Sequence, residues 1–244
     1  MKIAFITDIH FRQAVPGASP VPARKCREMA ELLPRAFEAT AKEKPDLLIC
    51  TGDLVDDPSH PNAVADLEKL REWFGAFPSP QIILPGNHDP EADRFYQTIP
   101  RPEKKIQIGG VEFLNFWDDF RPAGEEARVR PKASLREMEA ALSEIPIGNE
   151  LTILSQHYLI YPERNEGYPH NYGNDREIRA ILEKSPRRLL NVSGHFHSGV
   201  PLCEEGGVSY FVGRAFCEKP HPFYLFEILN GEIKIREAAL EARP

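Results

Sequence analysis

Five short apolar runs recur along the chain, and each stops at a cluster of polar residues. Lys2-Ile3-Ala4-Phe5-Ile6-Thr7 predicts a buried strand, with Asp8-Ile9-His10 at its end. Asp46-Leu47-Leu48-Ile49-Cys50-Thr51 predicts a second, followed by Gly52-Asp53-Leu54-Val55-Asp56. Gln81-Ile82-Ile83-Leu84 predicts a third, which turns at Pro85 into Gly86-Asn87-His88-Asp89. Leu151-Thr152-Ile153-Leu154-Ser155 runs into Gln156-His157. Arg188-Leu189-Leu190-Asn191-Val192 runs into Ser193-Gly194-His195-Phe196-His197.

Between these runs the apolar period lengthens to that of a helix. Lys25 to Lys44 puts Met29, Leu32, Leu33, Ala36 and Phe37 on one face, with Pro34 expected to kink the helix or mark a fresh start. Asn62 to Phe77 is amphipathic, with Asn62 as the cap and Val64, Leu67, Leu70, Trp73 and Phe74 facing the core. Pro131 to Glu144 and Asn174 to Lys184 complete the helices. Val15–Pro22 and Tyr161–Gly173 read as loops. Ile106 to Leu114 reads as a hairpin around Gly109-Gly110. From Gly199 the pattern predicts antiparallel strands, with turns at Gly206-Gly207 and Asn230-Gly231.

The polar clusters share one chemistry. Asp8, His10, Asp53, Asn87, His157, His195 and His197 can each ligate a metal, and each follows a predicted strand. In open α/β sheets, ligand sites form beyond the carboxyl ends of parallel strands, so these loops are expected to converge on one rim of one sheet. The donors exceed what one ion needs and suit two ions sharing a bridging carboxylate. His88 remains as a group that can carry a proton near neutral pH. Asp89 could orient that imidazole or hold the turn. Taken singly the signals are modest: Asp-x-His is common by chance, Gly-Asp is ordinary turn chemistry, and a lone His157 reads as a core histidine. Their joint order carries the argument.

Composition narrows the setting. The chain has 244 residues, of which 41% are hydrophobic, enough for one sizeable core, so a single domain over residues 1–244 is expected. A net charge of -7 argues against a non-specific grip on nucleic acid. Cys26, Cys50, Cys203 and Cys217 have no CxxC spacing and read as reduced, packed thiols. Met1 to His10 lacks the long apolar run of a signal peptide, and no stretch approaches the ~20 residues of a membrane span, so a cytoplasmic protein is expected.

The set Asp8-x-His10, Gly52-Asp53-x-x-Asp56, Gly86-Asn87-His88-Asp89, His157 and Gly194-His195-x-His197 resembles the calcineurin-like metallophosphoesterase family. The resemblance implies a four-layer αββα sandwich of two mixed β-sheets flanked by helices, with two metal ions at the top of the two packed sheets. It implies one ion held by Asp8, His10, Asp53 and His197, and a second held by Asp53, Asn87, His157 and His195. His88 would be the acid or phosphate-contacting group, Asp89 its orienting partner, and Asp56 a support outside the ligand set. The expected cofactors are two divalent or mixed-valence ions, and the mixed donor set suits Mn, Fe or Zn better than Mg or Ca. The expected reaction is hydrolysis of a small phosphomonoester or phosphodiester, with a hydroxide held between the ions attacking in line. A cyclic-nucleotide phosphodiesterase is the alternative enzyme, and an inactive scaffold of the same fold the alternative outside enzymes. Tyr158-Leu159 stands where many members carry His or Pro after the fourth motif, so the substrates of those members do not transfer.

Other residues keep two readings. His60, His170, Tyr161, Tyr168, Tyr172 and Arg164 could line a substrate pocket or pack within loops. Arg12 and Arg214 could meet phosphate or lie at the surface. His221 reads as structural. Substrate choice is expected to lie with the Val15–Pro22 loop, the Asp56–Pro61 turn and the Tyr161–Gly173 loop.

Overall fold

The five apolar runs all form strands, but they divide between two sheets rather than sharing one. The computed structural model describes residues 1–144, 151–229 and 232–240. In chain order the elements are β1 (Lys2–Ile6), α1 (Met29–Ala41), β2 (Leu47–Cys50), α2 (Ala63–Gly75), β3 (Gln81–Ile83), α3 (Ala92–Phe95), β4 (Lys105–Ile108), β5 (Val111–Asn115), α4 (Lys132–Ser143), β6 (Leu151–Ser155), α5 (Asp175–Lys184), β7 (Arg188–Ser193), β8 (Val200–Glu205), β9 (Val208–Val212), β10 (Pro222–Leu229) and β11 (Glu232–Ala239). One sheet has the order β11-β10-β1-β2-β3, the other β4-β5-β6-β7-β9-β8. β1, β2 and β3 are parallel in the first, and β5, β6, β7 and β9 in the second, with antiparallel strands at the edges.

Alternation along each strand builds four layers. Successive side chains point to opposite faces of a sheet. Ile3 and Phe5 of β1, with Leu47 and Ile49 of β2, pack against Phe113, Ile153, Leu190 and Val192 of the other sheet. Their neighbours Ala4, Ile6, Leu48 and Cys50 face the opposite way, onto Leu33 and Phe37 of α1 and Leu67, Leu70 and Phe74 of α2. The second sheet does the same: Leu114, Leu154 and Leu189 pack on Leu135 and Met138 of α4 and Ile178 and Leu182 of α5. Both faces of the central strands are therefore covered, which is why they read as unbroken apolar runs.

Several local expectations change. Helix α1 is continuous through Pro34. A mid-helix proline costs about 3 kcal/mol. The buried Met29, Leu32, Leu33 and Phe37 flank it on the apolar face, and burial of each is worth roughly 1.5–3 kcal/mol. Packing wins. Asn62 occupies the cap position of α2 without capping it; its Nδ2 donates instead to Ala14 O at 3.0 Å. Val64 is half-buried, and the unexpected buried residue of α2 is Asp66. The Gly109-Gly110 and Gly206-Gly207 hairpins form, but β9 lies parallel to β7, and β10 crosses to the first sheet to pair with β1. The Asn230-Gly231 turn lies outside the described residues.

Asp66 ties the segment after β1 to α2. Its carboxylate accepts from the amides of Gln13 at 3.0 Å, Ala14 at 2.7 Å and Val15 at 3.4 Å. The Asp66→Ala protein should be less stable by about 1–3 kcal/mol, because it strands buried amide donors. A urea unfolding curve with an unchanged slope and a lower midpoint is the expected reading.

Candidate metal centre

The seven ligand candidates meet where the two sheets present their carboxyl ends side by side. β1, β2 and β3 deliver Asp8, His10, Asp53 and Asn87, whereas β6 and β7 deliver His157, His195 and His197. The pattern's expectation of one rim on one sheet is thus corrected: the candidates straddle the two packed sheets that the resemblance implies. β1 has β10 and β2 as neighbours and β7 has β6 and β9, so the two sets of strands lie in different sheets, and no local pattern announces it.

Two groups of donors can be drawn. Ligand atoms of Asp8, His10, Asp53 and His197 all lie within 4.8 Å of one another, as do those of Asp53, His157 and His195. Asp53 belongs to both. Its Oδ2 is 3.4 Å from His10 Nε2 and its Oδ1 is 3.4 Å from His157 Nε2. Asn87 Oδ1 lies 3.0 Å from the same His157 nitrogen. His197 Nε2 is 3.6 Å from Asp8 Oδ1 and 3.3 Å from His10 Nε2.

The imidazoles are aimed by their other nitrogens. His157 Nδ1 faces Thr51 O at 2.7 Å, His197 Nδ1 faces a Glu218 carboxylate oxygen at 2.7 Å, and His88 Nδ1 faces Asp56 O at 2.8 Å. An oxygen acceptor at Nδ1 makes that nitrogen the donor and turns Nε2 toward the centre. Asp8 is steadied by Thr7 Oγ1 at 2.7 Å, itself bonded by Thr51 Oγ1, and by the His195 amide at 3.1 Å.

The backbone is strained at these positions. Asp8, His10, Asp53 and His195 have φ of 54°, 47°, 53° and 67°, a left-handed region that side chains with Cβ rarely occupy. Two glycines allow the loops to close. A Cβ at Gly86 would lie 2.7 Å from His157 Cε1, and one at Gly194 would lie 2.5 Å from Asp8 Oδ2.

The donor set fits cations. Burial pushes the His10 and His195 imidazoles well below their ordinary value, so both offer neutral lone pairs, the form a metal requires. Among the described residues, His195 Nε2 and His10 Nδ1 are buried with no hydrogen-bond partner. Burial also lowers His157, but the carboxylates of Asp53 and Asp8 and the Thr51 carbonyl together raise it to about 9. The attraction that holds a proton there equally favours a metal cation. Burial raises Asp8, against the charges of His197 and His157.

Asp89 does not orient His88. Its carboxylate accepts from the amides of Leu54 at 2.9 Å, Val55 at 3.1 Å and Gly86 at 2.8 Å. Buried among them, it is raised to about 7. It clips the Asp53 loop to the Asn87 loop, the turn-holding alternative, and Asp56 O takes the orienting role. His88 itself stands beside His10, with ring centroids 4.7 Å apart, and its amide donates to Asp53 Oδ1 at 2.7 Å.

A cavity of about 540 Å³ opens over the centre, lined by Arg24, His88, Arg121, Tyr168, His170 and Phe196 among others. Of the three segments expected to line it, only Tyr161–Gly173 contributes, through Glu166, Tyr168 and His170. Arg12 is buried against Asp56 at 2.9 Å and Pro16 O at 2.7 Å, and Arg214 pairs with Glu237 at 3.1 Å. Tyr172 is buried on Arg130, Tyr161 packs on Tyr210, and His60 bonds the Asn62 amide. Arg164 lies over the Phe196 ring. Cys217 is buried and Cys203 half-buried, and His221 bonds Phe216 O. Tyr158, the departure after His157, packs its ring on His195 with centroids 4.5 Å apart. Sequence reasoning missed Arg24, Arg121 and Glu218, which sit in irregular segments at no fixed spacing from the strands. Among the described residues, no helix is long and apolar enough to cross a membrane.

Comparison with known proteins agrees with this arrangement. The chain is 28% identical over 165 residues to the 3',5'-cyclic adenosine monophosphate phosphodiesterase CpdA of Escherichia coli K12, covering 64% of this chain and 56% of that protein. It is 28% identical over 138 residues to a probable cyclic nucleotide phosphodiesterase of Synechococcus, covering 53% of this chain and 48% of that one. The chain thus spans about half the length of the curated relatives it matches. A dimetal phosphatase from Danio rerio has the same fold, with a TM-score of 0.77 at 14% identity over 98% of this chain and 96% of that one. The profile of the calcineurin-like phosphoesterases matches residues 1–199, and the chain belongs to that family.

Proposed function

We propose that this chain hydrolyses small phosphate esters with two metal ions, held by Asp8, His10, Asp53 and His197 and by Asp53, Asn87, His157 and His195. The observation that carries the reading is Asp53, whose two oxygens face imidazoles of both groups at 3.4 Å. When bound, such ions supply Lewis acidity and an activated water. The protein's own groups do the rest. Burial of Asp8, Asp53 and His157 keeps bulk water from the ligands. His88, its ring set by Asp56 O, offers Nε2 to the cavity. In the overall change, water adds to phosphorus, the bond to the ester oxygen breaks, and the leaving alcohol takes a proton, which His88 is placed to give.

A second reading, a cyclic-nucleotide phosphodiesterase, is favoured by the aromatic wall of Tyr168 and Phe196, which suits a flat base, and by the names of the two relatives. Turnover measured on p-nitrophenyl phosphate, bis-p-nitrophenyl phosphate and cyclic AMP separates the readings. Prior dialysis against a chelator should abolish all turnover, and adding manganese back should restore it. Turnover that survives metal removal, or a chain inert on every ester with its metals bound, sinks the hydrolase reading; inert but metal-loaded protein is the scaffold's signature.

A further inference from the structure

One cation at the cavity wall belongs to none of the motifs. Arg24 lies between β1 and α1, with a side chain 14% exposed. Its Nη1 is 3.4 Å from His88 Nε2 and 3.6 Å from Asp56 Oδ1. Asp56 is already engaged. Arg12 Nη1 donates to its Oδ2 at 2.9 Å, and Ser19 Oγ donates to its Oδ1 at 3.1 Å. Arg24 is therefore near that carboxylate without forking onto it, and its buried Nε has no hydrogen-bond partner among the described residues.

A guanidinium can only donate. His88 uses Nδ1 on Asp56 O, which leaves Nε2 to face the Arg24 nitrogen. In this structure Nε2 takes the Arg24 bond, so the guanidinium and the imidazole converge on one point of the cavity. An anionic oxygen at that point takes charge-assisted bonds from the guanidinium, roughly twice as strong as neutral ones. The other arginine that lines the cavity, Arg121, donates to the Tyr168 hydroxyl at 3.3 Å, so Arg24 is the guanidinium that stands beside His88.

Building on the hydrolase reading, we infer that Arg24 is a catalytic residue that grips a free phosphoryl oxygen beside His88, so that the site favours phosphomonoesters over diesters. A monoester carries one more unesterified oxygen and one more negative charge. In a diester one of those oxygens bears carbon and is a poor acceptor for a guanidinium. The inference thus sets the terminal phosphate ahead of the cyclic diester.

The test compares Arg24→Gln and Arg24→Lys with the parent chain, all loaded with manganese. p-Nitrophenyl phosphate and bis-p-nitrophenyl phosphate share a leaving group, so the difference between them reads the phosphoryl oxygen. Arg24→Gln should lose about 100-fold in kcat/KM on the monoester but under about 5-fold on the diester, the scale set by deleting one oxyanion donor. Arg24→Lys should fall between, and orthophosphate measured by calorimetry should bind Arg24→Gln less tightly by a similar factor. Metal content and melting temperature should match the parent. Equal losses on both esters, no loss on either, or unchanged phosphate binding would overturn the inference. Phosphate binding decides the matter even if the parent chain hydrolyses neither ester, an outcome that would count against the hydrolase reading alone. If Arg24→Gln does not fold, the lysine variant gives the same readings.

Discussion

Asp53→Asn should lower kcat/KM on the order of 1,000-fold or more and leave the protein unable to retain two metals through dialysis. The amide keeps the shape and one acceptor oxygen, but it removes the charge that both donor groups share. Whichever way it turns, its NH2 faces an imidazole at a place where a carboxylate oxygen now stands 3.4 Å from His10 or His157. It also disturbs the bond from the His88 amide, at 2.7 Å, and so the seat of the third motif. Metal analysis of the dialysed protein checks the claim independently of activity. A variant that keeps two equivalents of metal contradicts the sharing role of Asp53.

His88→Gln should behave differently. Here kcat should fall by about 100- to 10,000-fold, the range for a lost general acid, while both metals remain. Glutamine can still bond to an oxygen but cannot release a proton at neutral pH. The loss should therefore grow as the leaving alcohol becomes more basic, from p-nitrophenol to a simple alkyl ester. A loss independent of the leaving group would make His88 a phosphate-holding residue rather than an acid. The contrast between the two variants, one losing metal and one keeping it, separates binding from chemistry.

The site was legible in the sequence because its donors sit at strand ends, where an apolar run stops abruptly and local spacing is preserved. Asp8-x-His10 and His195-x-His197 are read from two residues' separation alone. What the pattern could not carry was which strands neighbour which. β1 pairs with β10 through residues far apart in sequence, and β7 takes β9 rather than β1 as its second neighbour. The division of one expected rim between two sheets follows from those pairings. Asp89 was misassigned for a related reason. Adjacency to His88 suggested contact, but three amides from two loops claim its carboxylate. Arg24 and Glu218 lie in segments with no periodicity, so only the folded chain brings them to the centre.

The pairing of β1 with β10 also has a temporal side. Lys2 lies opposite Glu227, and the Met1 amino group donates to Ile228 O across 227 positions. A ribosome releases Lys2–Ile6 long before its antiparallel neighbour Pro222–Leu229. Until then one edge of that strand has unpaired amides and carbonyls, a template for wrong pairing in a crowded cell. Nascent chains stalled before Pro222 should accordingly stay protease-sensitive around Asp8, however much of the second sheet has already formed.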